Sequence, residues 1–486
     1  MDFKTLSALP LIFFAGAAFA EPATPEGAAH LTGVLQTYLG STAGVVTVTP
    51  EGDAYTVTLD AAPLIALVPQ GTLTAAMSPM VLRLTDNGDG TWGMTQDQAF
   101  SLKLSVPGAL ELSMDMASVS GEGVFDEALQ SFSSMSGRAS GMTLTETVTE
   151  VGVEATKVYY ALDEMSFESS SEAGENGTVD SASSYAMSGL NETVTMPMPG
   201  IGEGMVPIEI GVTVESYTMQ AAMVGYRPDA IYGLLAWVVA HPSEAAMMAD
   251  KAGLKALLKG GIPFFATMGG DGTANNIVVT TPFGPIGIAE MGISVEANGV
   301  VADGMLREAF SLSGLTLPDG MLPPWAEPLL PQEMSLDVTA SNFDLAAPAA
   351  ILLGMLDLAD GAEPDPMLDQ MLLAALLPDG VVDITLAATG LSNEVYDLTM
   401  AGEMSAGPAS MPTGTATVTL DGIDAVLAAL NAAPDDIKGQ ILPMIGMAQG
   451  MATTGGQGEL VWEIDASQPG TLLVNGTDML GMGGSE

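Results

Sequence analysis

Leu102-Lys103-Leu104-Ser105-Val106-Pro107-Gly108-Ala109-Leu110-Glu111-Leu112-Ser113-Met114-Asp115-Met116 reads as two strands and the turn that joins them. Leu102, Leu104 and Val106 alternate with polar neighbours, as do Leu110, Leu112, Met114 and Met116, so each run has one apolar face at the two-residue period of a strand. Val106-Pro107-Gly108-Ala109 has hairpin-turn chemistry. The pattern spreads outward in both directions. Met142 and Leu144 alternate in the same way, Asp86-Asn87-Gly88-Asp89-Gly90 is another turn, and Val212, Val214 and the residues to Met223 form a further long strand. Serine, glycine and acid dominate from Ser169 to Ser184, which predicts an exposed loop or edge. Only the start differs, because Leu31, Val34, Leu35 and Leu39 recur at helical spacing before Gly40. Residues 21–222 are therefore expected to be mainly β.

Beyond residue 222 helices enter. Asp229 opens a helix with Ile231, Leu234, Leu235 and Val238 on one face, Pro242 interrupts it, and Ser243 is placed to cap a second helix ending at Gly260-Gly261. Strands return by Ile277, so 223–316 reads as a helix pair with strands, and 317–331 is a proline-rich linker or strap. Val338-Thr339-Ala340-Ser341-Asn342-Phe343-Asp344 and Val418-Thr419-Leu420-Asp421-Gly422-Ile423-Asp424 then share one arrangement: a strand end, a polar turn and an aspartate opening an apolar helix. Val382, Ile384 and Leu386 alternate after the first helical section, and Leu460, Trp462 and Ile464 after the second. This predicts two repeat units, 332–410 and 411–480, followed by a tail, 481–486, with a looser third copy from Met223. Asp229, Asp344 and Asp424 are expected to be helix N-caps, and Asp365-Pro366 starts a further helix. The fold class is α+β and β-rich: large curved antiparallel sheeting with helices packed on one side, built partly from strand-helix-hairpin repeats.

Composition bounds the function. Residues 1–20 combine Lys4, the apolar Leu11-Ile12-Phe13-Phe14 and a small-residue end at Ala18-Phe19-Ala20, which predicts a secretory signal peptide cleaved before Glu21. No later stretch is long and apolar enough to span a bilayer as a helix, so an exported, periplasmic protein that is not integral to the membrane after cleavage is expected. Cysteine is absent, which removes disulfides, thiolate metal sites and a thiol nucleophile. A chain of 486 residues with 48% hydrophobic content leads to the expectation of one large core or two to three smaller ones. The 59 acidic and 11 basic residues give a net charge of −48, which disfavours nucleic acid and anionic membranes and leaves a cationic partner as the sharper alternative to simple solubility.

Motifs of catalysis are missing. There is no Gly-x-Ser-x-Gly elbow, no Walker loop and no dinucleotide fingerprint, and the only histidines, His30 and His241, are far apart in sequence. No cofactor is expected. Asp357, Asp360, Glu363 and Asp365, or Asp86, Asn87 and Asp89, offer oxygen ligands for calcium, but capping and turn formation explain the same residues. Lys251, Lys255 and Lys259 recur every four residues, placing a positive stripe beside Leu254, Leu257 and Leu258. That stripe reads either as solvated helix surface or as a docking point for a phosphate headgroup or an acidic partner. The 33 methionines suit either a ligand lining or core filler.

The amino-terminal segment, the cysteine-free acidic body, Leu336-Asp337-Val338 through Phe343-Asp344-Leu345 and the closing Gly470-Thr471-Leu472-Leu473-Val474-Asn475-Gly476 together resemble exported bacterial proteins of domain-of-unknown-function family 2125. The resemblance implies a large periplasmic β-rich protein, distantly similar to AsmA-like envelope proteins associated with lipid traffic, and it carries no functional residues. The sequence thus leads to a non-enzymatic protein binding a lipid or other hydrophobic molecule, or alternatively to an envelope scaffold that contacts another envelope protein through its acidic surface.

Overall fold

The computed structural model describes residues 22–69, 71–149, 155–199, 205–357 and 366–480. The signal segment, the tail 481–486, and Asp360, Glu363 and Asp365 lie outside the described residues. Helix α1 (Pro25–Leu39) begins at Thr24, whose hydroxyl accepts a hydrogen bond from the Gly27 amide. Strands β1 (Val46–Glu51) and β2 (Ala54–Leu59), the short α2 (Ala62–Ile65), β3 (Thr74–Met77) and β4 (Met80–Asp86) come next. Then come β5 (Thr91–Val106), β6 (Leu110–Asp126), β7 (Ser131–Val148), β8 (Thr156–Ala173), β9 (Val179–Pro199) and β10 (Met205–Tyr226). The stretch from Leu102 to Met116 is thus the end of β5, its turn and the start of β6, with Val106 paired to Leu110. The Ser169 to Ser184 region is paired strand for most of its length, at the ends of β8 and β9, because serine tolerates the ladder where no side-chain packing is demanded.

Three helical insertions interrupt the later strands. Helices α3 (Pro228–Ala240), α4 (Glu244–Ala249) and α5 (Lys251–Gly261) precede β11 (Thr267–Thr281), β12 (Gly284–Asn298), β13 (Gly304–Ser313) and β14 (Glu333–Phe343). Helices α6 (Ala346–Met355) and α7 (Leu368–Leu376) precede β15 (Val382–Ser392), β16 (Asp397–Gly407) and β17 (Ser410–Asp421). Helices α8 (Ile423–Asn431) and α9 (Asp435–Met451) precede the short β18 (Thr453–Thr454), β19 (Leu460–Asp465), β20 (Leu473–Val474) and β21 (Thr477–Asp478). In each case the strands before and after the helices pair with each other: β10 with β11, β14 with β15, β17 with β19. The fold is α+β and β-rich, and it is one sheet. β1 pairs β2, β2 pairs β4, β3 and β4 both pair β5, and from β5 to β17 each strand pairs the next, all antiparallel.

An antiparallel meander places successive connections at alternating edges. The upper edge, where β10 ends, carries α3 to α7 and the β6–β7, β8–β9, β12–β13 and β16–β17 turns. The lower edge carries the β5–β6 and β11–β12 turns, residues 314–332, the β15–β16 turn, and α8 with α9. The 314–332 segment is a docked strap, since Asn393 Nδ2 donates to the carbonyls of Pro328 and Leu330 at 3.0 and 2.9 Å and the Tyr396 hydroxyl donates to that of Leu329 at 3.1 Å.

The expected N-caps divide. Leu345 occupies the N-cap position of α6, but Asp344, one residue before it, accepts from the Ala347 amide at 2.8 Å, the kind of bond a capping side chain makes. Asp229 and Asp424 do not cap, because Arg227 and Gly422 occupy those positions and neither aspartate is bonded to a first-turn amide. The aspartates sit in the first turn, where their charge faces the positive end of the helix. Ser243 caps α4 as expected, but Asp250 starts a new helix by accepting from Gly253, so the second helix of that unit is two helices.

A row of turn-like residues crosses the middle of the sheet. Gly141, Gly189, Asn276 and Gly314 have φ of 60°, 69°, 50° and 66°, and the pairings on either side place them in one line with Ala117, Asp163, Glu215 and Ala289. A left-handed residue within a strand reverses which side the following side chains face. The sequence reverses with it. In β10 the apolar residues are Ile208, Ile210, Val212 and Val214 before this crease and Tyr217, Met219, Ala221 and Met223 after it, and in both halves they are the less exposed set. One face therefore stays apolar across the crease.

Candidate functional site

The apolar face is the candidate site, and nothing in the described residues forms a second layer over its middle. Cross-strand partners share a face, so Met165, Met187, Tyr217, Ala274, Met291, Leu312 and Met334 form one continuous row just above the crease. Leu162, Leu190, Val214, Ile277 and Ile288 form the matching row just below it. Ala139, Leu162, Ala274 and Ile277 are buried along this line. Further out the face opens. Ile293, Phe310 and Leu336 are direct neighbours on β12, β13 and β14, yet they remain 51%, 37% and 46% exposed.

Of the two expectations, one large core or two to three smaller ones, the structure has small clusters. Ala54, Tyr55 and Val57 pack near α1, Ala230 and Trp237 lie on α3, and Ala429, Leu430 and Ala433 lie on or beside α8. A single-layer sheet has no opposing layer, so half-exposed apolar side chains are its geometric consequence. Cohesion comes from the backbone ladder.

The opposite face is polar and holds three arginines. Arg307 donates from Nε and Nη2 to the two carboxylate oxygens of Asp337 at 3.0 and 2.8 Å, and this bond and charge hold its guanidinium pKa above the ordinary value. Arg83 meets Asp53 at 2.9 Å, and Arg138 meets Glu164. A depression of about 720 Å³ on this face is lined by Glu168, Gln220, Asp271, Glu296 and Arg307. Its one cation is already committed to Asp337, so it offers no free charge to an anionic ligand.

The lysine stripe lies on α5 at the upper edge. Lys255 is paired with Asp357 just beyond α6, which removes one of the three charges from a headgroup site. Lys259 is exposed, while Lys251 is half-buried; Leu254, Leu257 and Leu258 are half-buried, with Leu257 packed against Gly233 of α3. Leu257 thus joins α5 to α3. The Asp86 to Asp89 turn is closed by its own bonds, Asp86 accepting from Gly88 and Asp89 from Thr91. Among the described residues no group of histidine and acid is placed to hold a metal ion. His241 stacks on Trp237 with ring centroids 4.3 Å apart, and its Nε2 is 3.4 Å from Asp250 Oδ2. Asp250 also accepts from Trp237 Nε1 at 2.9 Å, and this bond, the Gly253 amide and His241 together hold its pKa below the usual carboxylate value. Half-buried Tyr160 titrates above its ordinary value because burial, and then Glu192, oppose the phenolate.

Sequence reading found the strands that build the apolar face but not the crease that unifies it. The switch was visible in β7, where Met135 and Ala139 give way to Met142 and Leu144 across Gly141. Among described residues no helix is long and apolar enough to cross a membrane. No family model, no curated protein and no solved structure matches the chain. What the fold and site define is an open single-layer sheet protein with one apolar and one polar face.

Proposed function

We propose that this is an exported, periplasmic binding protein that holds a lipid or a similar hydrophobic molecule against the apolar face and performs no chemistry on it. The observation that carries this reading is the exposure of Ile293, Phe310 and Leu336, direct neighbours on a continuous apolar surface. Soluble monomers rarely leave apolar patches beyond a few hundred Å² open, and such patches mark binding surfaces. An acyl chain gains about 0.8 kcal/mol for each fully buried methylene. The methionine rows suit such a ligand because thioether side chains adjust to chains of differing shape. At roughly 3.3 Å per residue, a strand the length of β10, 22 residues, spans more than one extended acyl chain. A scaffold with a filled, methionine-packed core lacks that support, since the methionines line an open face.

The test is organic extraction and mass spectrometry of protein purified without detergent. Acyl lipid should be recovered in stoichiometric amount, and removing it should lower the melting temperature until lipid is restored. Protein that comes out empty and equally stable would remove the reading.

A further inference from the structure

The apolar face is not free of charge. Because cross-strand partners share a face, the pairing places three carboxylates on it between β6 and β14. Glu146 stands between Leu112 and Val158, Glu192 between Tyr160 and Val212, and Glu308 between Val295 and Val338. Glu146 and Glu192 are half-buried there and Glu308 is exposed. The same strands hold three basic residues, Arg138, Lys157 and Arg307, and the pairing puts all of them on the polar face. Among the described residues, none of the three carboxylates has a basic partner or a hydrogen bond. Two of them have an aromatic ring as a neighbour on the face. Tyr160 is directly opposite Glu192, and Phe310 follows Glu308 two residues along β13. Phe310 belongs to the open trio with Ile293 and Leu336, so Glu308 borders the most exposed part of the surface.

We infer that the ligand of the apolar face is a cationic amphiphile, an alkyl or acyl chain bearing an ammonium group, and that Glu192 with Tyr160 and Glu308 with Phe310 are the positions that receive its charge. The inference rests on the proposed reading of this face and narrows it to one chemical class. A hydrophobic ligand laid on the face strips water from these carboxylates. Beneath a neutral or anionic ligand they lose hydration and gain no counterion, and burying an unpaired charge opposes binding. An ammonium group reverses the sign of that effect. Its charge pairs with the carboxylate while its methyl or N–H groups lie against the neighbouring ring, the arrangement by which aromatic faces recognise alkylated amines. The net charge of −48 draws the same ligand from a distance. The polar face attracts cations too, but it has no continuous apolar surface for the chain of an amphiphile.

Calorimetric titration with three amphiphiles of one chain length tests this: dodecyltrimethylammonium, dodecyl maltoside and dodecanoate, each kept below its micelle concentration. Salt at about 0.15 M screens the general charge of the chain. The ammonium should bind about tenfold more tightly than the maltoside, and dodecanoate should bind least. Glu192→Gln together with Glu308→Gln should weaken the ammonium about tenfold and tighten the maltoside. Glu122→Gln together with Glu168→Gln removes the same charge from the polar face and should leave every affinity within about twofold. Opposite signs for the two ligands separate charge pairing from a damaged fold, which would weaken both alike. Maltoside bound as tightly as the ammonium, tightest binding of dodecanoate, or equal losses in the two double variants overturns the charge assignment and leaves the apolar-face reading standing. If none of the three amphiphiles binds, both fail.

Discussion

Strands β5 to β10 and strands β13 to β17 belong to one sheet but meet the crease differently. The first group are 16 to 22 residues long and run through it. The second group are 10 to 12 residues long and stay above it. Gly314, last in the row of turn-like residues, marks the change, for there the chain leaves the sheet and becomes the strap. The same backbone conformation thus bends a strand that continues and ends one that does not. The residues on the carboxyl side of the bend make the difference: β7 resumes with alternating Met142 and Leu144, whereas Gly314 is succeeded by one bridge, Thr316 to Gly287, and then by Pro318, Pro323 and Pro324, which lack ladder amides. In the second group, helices and strap take over the stabilising role that ladder length has in the first.

The most damaging single change should be one that makes a crossing strand refuse the crease. Gly189 has a φ of 69°, and a Cβ there would meet the Asp163 carboxylate. Gly189→Val should cost about 3 kcal/mol, combining left-handed strain with the clash, and urea unfolding would read it. Gly380, with a φ of 74° in the turn before β15, has open space around its missing Cβ. Gly380→Ala should cost about 1 kcal/mol, from strain alone. Equal costs at the two positions would mean that the crease is no more constrained than a surface turn.

The second group should depend on its helical anchors. Trp462 on β19 donates from Nε1 to the Ala448 carbonyl of α9 at 2.8 Å. Trp462→Phe keeps the ring and removes the donor, so it should lose about 1 kcal/mol, and hydrogen exchange should quicken in α9 while β5 to β10 stay protected. Faster exchange throughout would show that the two groups unfold as one unit.

Much of this was legible because a strand's period is written directly in its residues. Leu102 to Met116 read as two strands and their turn, and the strand-helix-strand order of the repeats survives in the pairing of β14 with β15 and β17 with β19. The burial was not legible. Alternation says that a strand has an apolar face but not whether another layer covers it, so a hydrophobic content that suggested a core describes an open surface instead. The partner of Lys255 was not legible for a related reason, since an i, i+4 spacing reveals a helix face and not what it meets, and Asp357 lies 102 residues from Lys255. The capping aspartates failed at Asp229 and Asp424 because a shift of one or two residues in a helix start moves a side chain from the cap into the first turn.

That distinction is measurable. Asp344→Ala removes a bond to an amide and should cost about 1 kcal/mol, while Asp424→Ala removes only a charge near a helix start and should cost about 0.3 kcal/mol. Thermal melts at low ionic strength would separate them, and adding salt should shrink the second difference but not the first.

The smallest effect should come from pH at the α3–α5 junction. Asp250 titrates below its ordinary value because the Trp237 indole, the Gly253 amide and His241 all favour its carboxylate. A depressed folded pKa means that the unfolded chain binds the proton first as pH falls. The stabilisation is therefore complete above the ordinary carboxylate pKa and is lost as pH drops through the lower folded value. Asp250 is partly exposed, so the loss should be modest and confined to the helices that it joins. Between pH 5 and pH 3, Trp237 fluorescence should change in the parent protein and not in Asp250→Asn, which still accepts through its amide oxygen but carries no titrating proton. If both proteins changed alike, the acid response would belong to the many carboxylates of the polar face, and the upper-edge helices would share the sheet's titration instead of having their own.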